Sequence, residues 1–329
     1  MRRRTLLALS TALPLGPFAA APAAWAQPAP SWLTQPLRIV VPYAPGGPTD
    51  IPARLLAEEL SKVLPQRPVV ENRTGAGVVV GTDVVAKATD GHTVLYTTIS
   101  HAVLRPLFPR LPFDPVADFA PVALVGQIPM VLMVNKDLPA NKLQDLIRLY
   151  RDNPGKYDYG SSGNGGALHL ASELFLRQAG GLQVAHVPYR GSAAAMPDLL
   201  NGTLSMMLDV ANNALPYVRR GEVKALAVSA ERRLPQLPDV PTFQEQGLPD
   251  YEAYTWHMVL TPKAVPEAVV RRLNAAVNRV LAEPAVQKRL EDLTMQVRSD
   301  STPESTAQWL QAEMAKWEPI VREAGIKPD

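Results

Sequence analysis

The sequence contains no cysteine. That excludes a disulfide scaffold, a thiolate metal site, a cysteine nucleophile and a lipid-anchored N-terminal cysteine. Charge is scarce, 19% of 329 residues, and nearly balanced at 33 Lys+Arg against 31 Asp+Glu. A near-zero net charge argues against a nucleic-acid binder, and Arg219-Arg220 and Arg232-Arg233 are isolated pairs without interleaved aromatics. Catalytic motifs are missing too. Gly160-Ser161-Ser162-Gly163-Asn164 approaches the G-x-S-x-G elbow but has Asn164 where the strained turn needs its second glycine. Gly75-x-Gly77 finds its third glycine at Gly81, one residue late for G-x-G-x-x-G, and Gly163-x-Gly165 has Leu168 at that place. Among five histidines, only His169 shares a helical face with a carboxylate, Glu173, and two ligands do not make a metal site. No cofactor and no metal are expected.

Residues 1–26 form an export signal. Met1-Arg2-Arg3-Arg4 is basic, Thr5 to Ala21 is apolar, and Ala24-Trp25-Ala26 places cleavage after Ala26. The arginines also match a twin-arginine signal loosely, so the export route stays open. No later run is long and apolar enough for a membrane helix. Loss of Arg2, Arg3 and Arg4 leaves 30 basic against 31 acidic residues, a net charge of −1. Any anion recognition in the exported chain must therefore be local.

What the chain does have is 33 prolines, 20 glycines and alternating strand and helix patterns. Leu37–Tyr43 is a β-rich run that ends in a Gly-Pro turn at Ala44 to Asp50. Apolar positions at Ile51, Leu55, Leu56, Leu60 and Val63 then follow at helical spacing, with Asp50 as the expected N-cap. Val69–Asn72 and Thr93–Thr98 continue the alternation. In a second block, Val122–Val125, Met130–Val134, Tyr157–Gly160, Val184–Val187, Leu204–Leu208 and Ala225–Val228 are expected strands, with helices between several of them. From Pro266 onward the pattern is mostly helical, and Thr302-Pro303-Glu304 opens the last helix. This alternation predicts an α/β fold of parallel, doubly wound sheets with helices on both faces.

Ligands of open α/β sheets bind beyond the carboxyl ends of strands. Three loops there are rich in donors. Pro45-Gly46-Gly47 and Ser161-Ser162-Gly163-Asn164-Gly165 each precede a helix, the second leading to His169, and Thr98-Ile99-Ser100 ends a strand. Backbone N–H groups at a helix start suit a carboxylate. Any one of them is also compatible with an ordinary turn and cap. Three across two blocks point to a ligand cleft, and the lack of catalytic motifs points to binding without chemistry. Trp256, in Tyr254-Thr255-Trp256-His257, is compatible with core, hinge or pocket wall. An exported serine hydrolase using Ser161 or Ser162 is the alternative reading.

The chain resembles the Bug-type extracytoplasmic solute receptors, the receptor component of tripartite tricarboxylate transporters. The resemblance rests on Val41-Pro42-Tyr43-Ala44-Pro45-Gly46-Gly47 with Asp50-Ile51-Pro52-Ala53-Arg54, on Glu71-Asn72-Arg73-Thr74-Gly75-Ala76-Gly77, and on Asp90-Gly91-His92-Thr93-Val94-Leu95. Tyr159-Gly160-Ser161-Ser162-Gly163, His169-Leu170, Glu173-Leu174-Phe175 and His186-Val187-Pro188-Tyr189-Arg190-Gly191 extend it, as do Asp198–Gly202 and Leu237–Thr242. It implies a two-lobed periplasmic binding protein fold with a ligand cleft between the lobes. Residues 27–134 would form the first part of lobe 1, 135–254 lobe 2, and 255–329 the return to lobe 1 and the C-terminal helices. It implies a small organic carboxylate as ligand, with Tyr43, Ala44, Pro45, Gly46, Gly47, Ser100, Ser162, Gly163, Asn164 and Asp209 lining the site. Asp50 and His169 complete the candidate ligand-binding set. The implied partners are the membrane components of such a transporter or a sensor kinase, with no nucleic acid; the receptor is expected to be a periplasmic monomer and not an enzyme. Three residues depart from the family pattern. Val78 stands where the family has Gly and is expected to narrow the floor near that helix start. Thr74 replaces a usual Pro. Met258 replaces a usual Gly, stiffening the crossover or adding an apolar wall.

Overall fold

The structure is a computed structural model and describes residues 32–328. The export signal and the cleavage site after Ala26 lie outside the described residues. The first half of the sheet opens with β1 (Arg38–Val41), α1 (Asp50–Leu60), β2 (Val69–Asn72), α2 (Val79–Ala86) and β3 (Thr93–Thr97). β2 and β3 pair with β1 in parallel, as the β–α alternation predicts. A single 3₁₀ turn at Ile99–His101 and the short α3 (Leu104–Leu107) follow.

The next segment differs from the expectation. Val122–Val125 and Met130–Val134 are parts of one strand, β4 (Phe119–Asn135). The sequence breaks between them at Gly126, Gln127 and Pro129, but each break has a local cause. A Cβ on Gly126 would lie 2.7 Å from the Gln296 carbonyl oxygen, so a bare α-carbon lets the neighbouring chain approach. Gln127 is buried yet accepts from Arg298. Pro129 marks the point where β4 changes partners.

The second half contains α4 (Leu143–Asp152), β5 (Asp158–Ser161), α5 (Ala167–Gln178), β6 (Ala185–Pro188), α6 (Ser192–Asn201), β7 (Met206–Val210), α7 (Ala211–Arg219) and β8 (Val223–Val228). α7 escapes the sequence pattern because Asn212, Asn213 and Pro216 interrupt it; Ala211, Ala214 and Leu215 are buried and hold it on the sheet. The chain returns along β9 (Tyr254–Pro262), every residue of which is buried, and ends with α8 (Glu267–Leu281), α9 (Pro284–Asp292), β10 (Gln296–Val297) and α10 (Pro303–Glu323).

The strand order is β2-β1-β3-β9-β4-β7-β5-β6, with β8 and β10 also on β4. β9 lies antiparallel to both β3 and β4, and β7 and β8 run antiparallel to β4. The sheet is therefore mixed, correcting the expected parallel one. The reasons are long-range: β9 inserts between β3 and β4, and β7 and β8 pair with β4 in the opposite direction, arrangements that local patterning cannot reveal. β4 pairs with β9 up to Pro129 and with β7 from Met130, so two half-sheets share one continuous strand.

Side chains alternate along β4 into different apolar clusters. Val122, Ala123 and Val125 join the cluster with α1 and α8, whereas Leu124, Met130 and Leu132 join one that runs under both halves. Met258 is fully buried in the latter, in register with Leu124, and so forms an apolar wall inside the core. Trp256 is also core: its indole and that of Trp317 both donate to Glu313 Oε2, at 2.7 and 2.8 Å. Thr302 caps α10 reciprocally with Ser305, with Pro303 behind it, as expected.

Candidate ligand-binding site

Most of the candidate residues lie at or just after the carboxyl ends of β1, β3, β5 and β7, and Asp50 and His169 lie in the helices that follow β1 and β5. After β1, residues 44–46 are exposed. Thr49, not Asp50, is the N-cap of α1, and its side chain makes no capping bond. Asp50 is inside the first turn and 1% exposed. Its Oδ2 accepts from Gly46 N–H and Arg54 Nε, both at 2.8 Å, and its Oδ1 from Asn72 Nδ2 at 2.8 Å. Asn72 Nδ2 also donates to the Tyr43 carbonyl at 3.0 Å. Burial pushes the Asp50 carboxyl up, but bonds from Arg54, Gly46 and Asn72 outweigh it and hold the group below its ordinary value. Asp50 thus folds the loop back onto its own helix, and the Gly46 amide serves that purpose. Gly46 has φ +74°, a left-handed turn that suits glycine, and open space beyond its α-carbon.

The first loop is latched to the second. Tyr43 Oη and Thr98 Oγ1 lie 2.6 Å apart, and Ser100 is within the same hydroxyl cluster. Burial pushes the Tyr43 phenol up, and its hydroxyl neighbours oppose this. Val78, at the start of α2, has φ +74°, a strained conformation for a β-branched residue and one that a glycine would adopt at ease.

The loop after β5 is pinned at both ends by histidine. Ser161 Oγ is 2.7 Å from His186 Nε2 and accepts from Gly163 N–H at 3.2 Å. Gly165 N–H donates to His169 Nδ1 at 3.2 Å. The two imidazoles stack with centroids 3.7 Å apart, and Tyr159 stacks on His186 and donates to Glu173. These contacts leave Ser162, Gly163 and Asn164 partly exposed at the tip. Ser161 itself is fully buried, so its pairing with His186 presents no accessible nucleophile and instead holds the loop. His169 is an anchor of this loop, and no group of three or more His, Asp or Glu able to hold a metal occurs among the described residues.

Asp209 is the last residue but one of β7 and is 1% exposed. Its Oδ1 accepts from Val210 N–H at 2.8 Å and from Asn213 Nδ2 at 3.4 Å, and Asn213 Nδ2 also donates to Ser192 Oγ at 3.2 Å. The carboxylate therefore ties the first turns of α6 and α7. Burial pushes its pKa up to about 7, against bonds from Val210, Ser192 and Asn213.

One contact was not legible in the sequence. Gly165 has φ +67°, and a Cβ there would lie 2.3 Å from Leu107 Cδ1 at the end of α3. The second-half loop thus presses on a first-half helix. The only hint was the run of glycines at 163, 165 and 166. Two open surface hollows of about 450 Å³ lie elsewhere, one around Phe108–Asp114 and one around Asp137 and Lys156.

The buried histidines make stability depend on pH. Burial lowers His101 to about 4 and His169 and His257 to about 3, from 6.5. The Pro115 carbonyl opposes the shift at His101; His186 adds to it at His169. Below pH 6.5 the unfolded chain binds three protons that the folded chain refuses, so stability is lost as pH falls towards 4. Asp209 and Glu173, both raised by burial, oppose this by holding protons in the folded state. Three protons against at most two leave at least one, or at least about 1.4 kcal/mol of stability lost per pH unit. Urea midpoints measured between pH 6.5 and 4.5 should fall; a flat or rising profile would contradict the assignment.

A family model described as the tripartite tricarboxylate transporter family receptor matches residues 52–326. The chain belongs to this receptor family. Solved structures with this fold include three whose relation is close in sequence as well. Periplasmic binding protein BugD is 34% identical, with a TM-score of 0.77 over 89% of this chain and 98% of that one. Rpa4515 of R. palustris, solved with adipate, is 33% identical, with a TM-score of 0.80 over 90% and 99%. MatC of Rhodopseudomonas palustris, solved with bound malate, is 36% identical, with a TM-score of 0.76 over 87% and 98%. The α/β architecture is that of the two-lobed periplasmic binding proteins, and the chain is a Bug-type solute-binding protein.

Proposed function

We propose that this chain captures a small organic carboxylate between two lobes in the periplasm and hands it to the membrane components of a tripartite tricarboxylate transporter, without chemistry on the ligand. Export would end with cleavage after Ala26. Residues 27–134 and 255–329 would form one lobe and 135–254 the other, with β4 and β9 as the strands that cross. The observation that carries the reading is that three strand-end loops are each pinned from behind by side chains. Asp50 shapes the first, the Tyr43–Thr98 latch joins it to the second, and His169 with His186 sets the third. Residues 44–47, Ser100 and 162–164 are left accessible for a carboxylate, and the buried Asp209 would act on it through its charge. The dicarboxylates in the adipate- and malate-bound relatives support this ligand class.

Thermal melts with adipate, malate, aromatic acids and acidic amino acids test it. A ligand at one hundred times its Kd adds about 2.7 kcal/mol, enough to raise Tm by several degrees. If no organic acid shifts the melt, the reading fails. Asp209 gives a second test. Above pH 7 its carboxyl ionises and repels an anion beside it, so dicarboxylate affinity should decline as pH rises through about 7. Asp209→Asn should abolish that decline in calorimetric titrations. An unchanged pH profile in the variant would remove Asp209 from the site.

A further inference from the structure

His257 of β9 and Tyr96 of β3 are both fully buried. Among the described residues, neither ring nitrogen of His257 has a hydrogen-bond partner, and neither has the Tyr96 hydroxyl. Their ring centroids lie 5.5 Å apart, tilted by 56°. β3 and β9 are antiparallel with Tyr96 opposite Val259, so Tyr96, Val259 and His257 share one face of the sheet. Tyr96 and Val259 belong to the apolar cluster that includes Leu56 of α1 and Leu273 of α8. Thr98 directly follows Thr97, whose partner in the register is Met258, the chain neighbour of His257. Thr98 is the residue that latches Tyr43 and, with it, the first strand-end loop.

Unpaired polar atoms buried among aliphatic side chains are costly, and native proteins satisfy them with protein or water. A neutral imidazole has one donor and one acceptor, and a phenol has both functions. Burial keeps His257 neutral across the physiological range. The two side chains can thus offer donors and acceptors together, the set of partners a buried water needs.

We propose that His257 and Tyr96 enclose an internal water site beneath the first strand-end loop, where water bridges the imidazole to the phenol and, beside Thr98, steadies the Tyr43 latch. His257 is then a positioning residue for the carboxylate loop. The link to affinity rests on the proposed binding function; the water site does not, and the experiment separates them.

The first arm is a crystal structure of the full mature chain at a resolution that shows ordered water. Density within about 2.7–3.2 Å of a His257 nitrogen and of Tyr96 Oη is expected. A dry contact, or a direct bond between the two side chains, overturns the proposal. The second arm is a double-mutant cycle by urea melts with Tyr96→Phe, His257→Phe and the pair. A shared water makes the double variant less destabilised than the two single changes added together. Additive losses, or a His257→Phe chain as stable as the wild type, overturn it. The third arm titrates malate and adipate. His257→Phe should weaken whichever binds about tenfold, and His257→Gln, which can still hold water, should recover most of the loss. Equal affinity in the Phe variant removes the positioning role while leaving the first two arms to decide the water site.

Discussion

Replacing Glu313 by alanine is expected to lower the stability of the chain by about 3–5 kcal/mol, more than any surface substitution. Glu313 lies on α10, 8% exposed, between the indoles of Trp256 on β9 and Trp317 on its own helix. Both indoles are fully buried and donate to the same oxygen, Oε2. Alanine would strand two buried N–H donors and leave a cavity where α10 meets the return strand. Each stranded donor costs about 1–3 kcal/mol. Glu313→Gln supplies the sharper comparison. One amide oxygen has two lone pairs and can accept from both indoles, so the cost should be only about 1 kcal/mol. Urea denaturation of both variants measures this. An alanine variant within about 1 kcal/mol of the wild type would mean that the Trp–Glu–Trp contact does not hold the helix to the sheet.

Gly165→Ala is expected to weaken carboxylate binding by about ten- to a hundredfold, which corresponds to about 1.4–2.7 kcal/mol. Two penalties combine. A side chain at φ +67° is strained by roughly 1–2 kcal/mol, and its Cβ would overlap Leu107 Cδ1. Leu107 is 6% exposed and sits in the core, so it has little room to yield. If the two lobes separate when ligand leaves, this overlap opposes the closed, ligand-holding arrangement more than the open one. Calorimetric titration should show the loss, and adding Leu107→Ala to the variant should restore part of it. Gly155→Ala is the control. Its φ is +71°, but its α-carbon faces open space, so affinity should not change. Wild-type affinity in Gly165→Ala would show that this loop does not press on α3 in the bound form.

The parts of the fold that follow from short-range pattern were legible. β1, β2 and β3, and α1, α4, α5, α8 and α10, each carry their own periodicity or cap. So was the position of the donor loops, because glycine beside proline, serine or asparagine marks the turn from strand to helix in the local pattern. The elements that were hidden depend on distant chain. Gly126 and Pro129 interrupt β4 locally, but β10, β9 and β7 complete it. Asp50 had the composition of an N-cap, yet Arg54, Asn72 and the Gly46 amide draw its carboxylate into the loop instead. Asn212 and Pro216 concealed α7, which tertiary burial of Ala211 and Leu215 sustains.

What the sequence determined alone is the absence of cysteine and its consequences, the export signal as a sequence pattern, the near-neutral charge of the chain without it, and the positions of the locally patterned strands, helices and donor loops. These are properties of composition and of contacts a few residues apart. Tertiary structure decided the antiparallel return of β9, the burial of Trp256 and Met258 in the core, the imidazole stack behind the Ser162 loop, and the pairing of His257 with Tyr96. Each joins residues far apart in sequence, because burial and hydrogen-bond satisfaction are set by whatever the folded chain brings within a few ångströms.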